Sequence, residues 1–116
     1  MSAHVIAVVV DCADAEALAE FWRKALDYAE PRRWRDADGL TYVQLDGDPA
    51  LLFQPVGEPK TVKNRWHLDL AARGSQADEV ERLVGLGARV IDEAPRQPWV
   101  VLADPEGNEF CVLPPR

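Results

Sequence analysis

The chemistry-bearing side chains of this 116-residue chain concentrate in one short stretch. Lys60, Lys63 and Arg65 form a basic cluster in an acidic chain, Asn64 lies among them, and Trp66, His67 and Asp69 follow directly. The cluster is either a solvated loop or an anion clamp, in which Arg65 grips a carboxylate or phosphate through two parallel bonds and Lys63 adds a point charge. His67 and Asp69 are two residues apart, which on a strand puts both on one face, so the carboxylate can orient the imidazole or meet a ligand. His67 reads equally as a satisfied histidine lining a polar cavity and as a ligand-contacting group. Of the four tryptophans, Trp22 falls at helical spacing and reads as core. Trp34, Trp66 and Trp99 stand beside turns or strand ends, where an indole either stacks on a planar ligand or finishes a sheet core. The candidate binding set is therefore Lys63, Asn64, Arg65, Trp66, His67, Asp69, Trp34 and Trp99. No Ser-His-Asp or Cys-His arrangement supports nucleophilic catalysis, and there is no Gly-rich phosphate loop. Cys12 and Cys111 are too few for a disulfide scaffold, lack Cys-x-x-Cys spacing, and read as reduced, buried packing residues.

The elements that must position these groups follow from periodicity. Residues 5–10 are apolar and largely β-branched, too short for a stable helix, and predict a strand buried on both faces. Asp14 caps a helix whose stripe is Leu18, Phe21, Trp22 and Ala25, running to about Tyr28 before Pro31. Three short antiparallel strands follow, at residues 32–35, 40–45 and 50–56, separated by Asp- and Gly-rich turns. A Pro-, Gly- and Lys-containing loop over residues 55–65 closes the first half. The second half repeats the plan with a strand at 66–72 and a helix capped by Ser75, its stripe Val80, Leu83 and Val84 and its end marked by Gly87. Strands at 88–92, 99–103 and 108–113 complete it, the last two joined by Asp104-Pro105-Glu106-Gly107, the preferred filling of a type I turn.

The pattern is strand-helix-strand-strand-strand twice, an internal repeat of about 55 residues. It predicts an α+β chain with module one at about 3–57 and module two at about 65–114, together one domain over 1–116. A hydrophobic fraction of 47% suffices for an unstapled core. Thirteen basic against twenty acidic residues give a net charge of −7, which disfavours nucleic acid and anionic membrane surfaces as partners. With no long apolar span or signal-type segment, the chain is expected to be soluble and cytoplasmic.

This duplicated plan resembles the vicinal oxygen chelate superfamily, and within it the small glyoxalase-like proteins of the glyoxalase, bleomycin-resistance and dioxygenase fold. The resemblance is carried by Val9-Val10-Asp11-Cys12-Ala13-Asp14 leading into Ala17-Leu18-Ala19-Glu20-Phe21-Trp22, by Pro59-Lys60-Thr61-Val62-Lys63-Asn64-Arg65-Trp66-His67-Leu68-Asp69-Leu70, and by Asp104-Pro105-Glu106-Gly107-Asn108-Glu109-Phe110-Cys111-Val112-Leu113. It implies a half-open, curved mixed sheet, with enzymatic members holding a divalent metal as a Lewis acid through ligands on the first, fourth, fifth and eighth strands. Carried over by position, the first ligand falls on Ala7, which cannot ligate, the fourth-strand ligand on Gln54, and the fifth-strand ligand on His67. On the eighth strand Cys111 replaces the usual Glu, with Glu109 a displaced carboxylate on the same face. No cofactor is expected; Gln54, His67 and Cys111 are the donors a divalent metal would use. The resemblance further implies a homodimer that binds a small anionic or aromatic organic molecule in its cleft. Lyase or isomerase chemistry would accompany that binding; the alternatives are a ligand-sequestering protein of the drug-resistance kind and a purely structural subunit.

Overall fold

A computed structural model describes residues 1–93 and 96–116. The elements run β1 (Val8–Cys12), α1 (Ala15–Leu26), β2 (Arg32–Arg35), β3 (Thr41–Leu45), β4 (Leu51–Pro55), β5 (Asp69–Ala71), α2 (Gln76–Leu86), β6 (Arg89–Asp92), β7 (Val100–Ala103) and β8 (Glu109–Leu113). This is βαβββ twice, the α+β architecture predicted from the repeat. The chain divides into two compact units, Met1–Pro59 and Lys60–Arg116.

In the first unit a four-stranded mixed sheet has the order β1-β4-β3-β2, with β1 parallel to β4 and the other pairs antiparallel. Asp14 Oδ1 accepts from the Ala17 N–H at 3.0 Å and starts α1, as its position before an acidic first turn requires. Leu18, Phe21, Trp22 and Ala25 are all buried, and the helix packs on β3 and β4 over Val43, Leu45, Leu51 and Phe53. It stops at Leu26, two residues before the expected end, because Asp27 takes the left-handed conformation at φ 56°. Gly47 is demanded by packing, since a Cβ there would stand 2.5 Å from Cζ of Tyr28.

One expectation fails at the start. Residues 5–7 are not in a strand, and β1 alternates between half-buried and exposed positions instead of being buried on both faces. The ladder begins where Val8 N–H donates to the carbonyl of Ala50, the residue just before β4, and residues 5–7 have no register partner there. As an outer strand, β1 shows its apolar residues to solvent on one face, Val9 being 51% exposed.

The second unit repeats the topology as β5-β8-β7-β6, with β5 parallel to β8. Ser75 Oγ accepts from the Asp78 N–H at 3.0 Å to start α2, and Gly87, at φ 125°, closes it. Of the predicted stripe Leu83 is buried, Val80 is half-buried and Val84 is exposed. The core here is Leu83, Leu102, Phe110 and Val112. The predicted type I turn is present: Gly107 N–H donates to the Asp104 carbonyl at 2.9 Å, and Gly107 has φ 86°. The Asp104 side chain, 3% exposed, accepts from the backbone N–H groups of Glu106 and Asn108. Among the described residues no helix is long and apolar enough to cross a membrane.

Candidate functional site

The site assembles on the parallel pair β5/β8 of the second unit. Asp69 and Cys111 are direct register partners on these neighbouring strands, so their side chains emerge side by side. Residues 66–68, expected to be strand, lie outside β5, and the cause is the Asn64 side chain. Cys111 N–H donates to the Leu68 carbonyl at 3.0 Å; continued parallel pairing would next join Glu109 N–H to the carbonyl of Trp66. The Asn64 amide stands between those two groups. Its Oδ1 accepts from Glu109 N–H at 2.8 Å while its Nδ2 donates to the Trp66 carbonyl at 2.5 Å and to the Glu109 carbonyl at 3.1 Å. The amide thereby satisfies the edge of β8 and holds residues 64–67 away from it. Asn64 is thus committed to backbone, a role that spacing in the sequence does not signal.

His67, released from the ladder, turns its Nε2 to within 3.3 Å of Asp69 Oδ1. Donor atoms of His67, Asp69 and Cys111 all lie within 4.8 Å of one another. They open on a cleft of about 400 Å³ lined also by Lys63, Trp99, Val101, Glu109, Phe110 and Leu113. Lys63 Nζ is 3.5 Å from Glu109 Oε1, so this lysine at the wall is already paired, with Asp69 left as a second carboxylate among the described residues of the lining. Burial pushes the Cys111 thiol up from its ordinary range, and the Asp69 charge pushes it further, against a smaller lowering by Lys63. A thiol held protonated in this way is a poor nucleophile, which agrees with the absence of a Cys-His catalytic pattern.

Of the sequence candidates, the structure brings Lys63, His67, Asp69, Trp99 and Cys111 to this cleft. Arg65 and Trp66 lie outside its lining, and Trp66 is 90% exposed. The anion clamp formed by Arg65 and Lys63 is therefore not assembled at the cleft. Trp34 and Gln54 belong to the first unit. Trp34 lies on β2 with its ring 6.1 Å from that of Tyr42, and half-buried Gln54 lies on β4 opposite Asp11. Val101 and Leu113, which sequence reasoning missed, supply apolar wall on the face of Cys111, and their alternation along β7 and β8 was the available signal; Phe110, also missed, lies on the opposite, core face and borders the cleft from beneath. Asp69 is the donor that the positional carry-over omitted, because the superfamily pattern assigns no ligand two residues after the histidine.

The donor chemistry fits a divalent metal of the kind the fold family implies. An imidazole, a carboxylate and a thiol make three ligands of the types that borderline-soft ions take.

A family model described as a glyoxalase-like domain matches residues 7–113. Among solved structures, the chain is similar to a glyoxalase/bleomycin resistance protein/dioxygenase family enzyme of Burkholderia phytofirmans PsJN, at 18% identity and a TM-score of 0.64, covering 94% of this chain and 96% of that one. It is also similar to the genomically encoded fosfomycin resistance protein FosX of Listeria monocytogenes, at 13% identity and a TM-score of 0.77, covering 97% and 94%. The trypanothione-dependent glyoxalase I of Leishmania major superposes at 15% identity and a TM-score of 0.72, covering 97% and 87%. No curated protein matches the sequence. At these identities the structural likeness carries the fold and not the chemistry. With the repeated βαβββ plan and a family match over nearly its whole length, this chain belongs to the glyoxalase-like domain family of the vicinal oxygen chelate superfamily.

Proposed function

We propose that this protein binds a small, flat organic molecule, neutral or cationic, in the cleft of its second βαβββ unit. The observation that carries this reading is the composition of the cleft wall. Trp99, Val101 and Leu113 give an apolar surface, and His67, Asp69 and Cys111 converge on one side of it. Lys63 is neutralised by Glu109, so Asp69 leaves an excess of negative charge facing the ligand. An aromatic ammonium gains from that carboxylate and from the face of the Trp99 indole, whereas an aromatic carboxylate meets like charge. Of the anionic or aromatic ligand expected from the sequence, this reading keeps the aromatic character and proposes the opposite charge.

A second reading is favoured by the His67–Asp69 contact at 3.3 Å. A carboxylate-oriented imidazole beside a bound molecule can carry a proton between two of its atoms, the elementary step of lyase and isomerase chemistry. The two readings share the cleft and differ in what His67 does once it is filled. Homodimer formation is part of the proposal, supported by apolar residues left exposed on outer strands, Val9 on β1 and Ile91 on β6.

Tryptophan fluorescence titration of chelator-stripped protein with naphthylmethylammonium and with naphthoate tests the sign of the charge. The ammonium is expected to bind at least about tenfold more tightly, a difference of roughly 1.4 kcal/mol, and Asp69→Asn to erase the preference. Tighter binding of the carboxylate, or no binding of either with Trp99 unresponsive, would overturn the reading.

A further inference from the structure

We infer that His67, Asp69 and Cys111 form a three-ligand site selective for a thiophilic divalent ion, zinc in the first instance, built wholly within the second unit. The inference goes beyond the proposed binding function, which describes the metal-free cleft: zinc held by Asp69 and the Cys111 thiolate makes the site formally neutral, so the ammonium preference belongs to the stripped protein. Three independent placements converge on it. Asp69 and Cys111 are register partners across β5/β8, which fixes their Cβ atoms as neighbours. His67 is turned onto the same spot by the Asn64 wedge, which removes it from the ladder without loss of backbone bonding at Glu109. The three donor atoms already lie within 4.8 Å of one another. Tetrahedral zinc separates its donors by about 3.5 Å, a difference that side-chain rotation alone covers.

The donor types decide the ion. Magnesium and manganese favour all-oxygen or oxygen-rich shells, and only one oxygen donor is present in this set. A thiolate and an imidazole favour zinc, cobalt or cadmium instead. All three donors line the cleft, so a further ligand to a three-donor zinc ion would come from there, as in zinc sites that accept an exogenous ligand. Binding displaces the thiol proton to solvent, so one proton is released as the sulfur–metal bond forms. Replacing the eighth-strand Glu of the resemblance by Cys111 therefore changes the ion selected, and Asp69 supplies the anionic oxygen that this replacement removes.

The experiment uses the full chain, stripped with chelator and titrated separately with zinc, manganese and cobalt. Zinc is expected to bind one equivalent per chain and to survive gel filtration, with manganese at least about tenfold weaker. Cobalt should give a sulfur-to-metal charge-transfer band in the near ultraviolet, which reads the thiolate in the unmodified protein. His67→Ala and Cys111→Ser should each weaken zinc binding at least about tenfold, and Cys111→Ser should abolish the cobalt band. His67 has 43% of its side chain exposed, so its removal leaves the core untouched, and circular dichroism checks the folding of both variants. Substoichiometric zinc, manganese binding as tightly as zinc, a cobalt complex without the charge-transfer band, or zinc affinity unchanged in both variants would overturn the site. Because the naphthyl titrations are made on stripped protein, loss of zinc binding with the ammonium preference intact removes this inference and leaves the binding function standing.

Discussion

At the scale of single residues, the site depends on a side chain that touches no ligand. Asn64 imitates a peptide unit, accepting from Glu109 N–H and donating to the Trp66 carbonyl, and so replaces one rung of the β5/β8 ladder. Truncation leaves the N–H of half-buried Glu109 without its partner, while the carbonyl of exposed Trp66 turns to water. Asn64→Ala should cost about 1–3 kcal/mol, read as a lower urea midpoint at unchanged slope. An unchanged midpoint would show that water replaces the wedge at no cost. Cys111 makes a related point. By its own context it reads as a small buried hydrophobe, and the resemblance makes it the eighth-strand metal donor; burial pushes its thiol up from the ordinary range, and its register opposite Asp69 is what sets a carboxylate beside it.

At the scale of elements, both helices begin where their caps stand, at Asp14 and Ser75, because an N-cap is a local bond that needs no distant partner. The turn from β7 to β8 is local in the same sense. Asp104 gathers two backbone N–H groups and the Asn108 side-chain amide onto a carboxylate that is 3% exposed, which sets the register from which Glu109 and Cys111 enter the cleft. Asp104→Ala should destabilise by about 1.5–3 kcal/mol, the range for hydrogen bonds to a buried charge. A loss below about 0.5 kcal/mol on chemical denaturation would mean that Gly107 alone fixes the turn. Strand starts behaved differently. Residues 5–7 continue an apolar, largely β-branched run and form no strand, since a strand exists only where a partner offers N–H and C=O groups, and the β1/β4 pairing begins at Val8.

At the scale of the whole molecule, each sheet ends in outer strands, and the apolar side chains exposed there are the ones a second copy would cover. Val9 on β1 is 51% exposed and Ile91 on β6 is 42% exposed, and a second copy docked on an outer strand would bury them. Sedimentation equilibrium at micromolar concentration should therefore give about twice the 12.9 kDa chain mass. A monomer at that concentration would remove the homodimer from the proposal.

The sequence by itself determined the repeat, the order of its ten elements and both helix caps, because these rest on periodicity and on bonds between residues a few positions apart. It also marked His67 and Asp69 as a pair, although their contact rests on the Asn64 wedge and not on the strand alternation that a spacing of two assumes. It left Arg65, Lys63 and Trp66 as an apparent clamp, for charge in a loop says nothing about where a long side chain goes. Tertiary structure decided that Lys63 pairs with Glu109, 46 residues on, and that Cys111 stands opposite Asp69, 42 residues away. Those contacts depend on which strands lie side by side and in what register, and register is set by the packing of a whole sheet rather than by any stretch of chain.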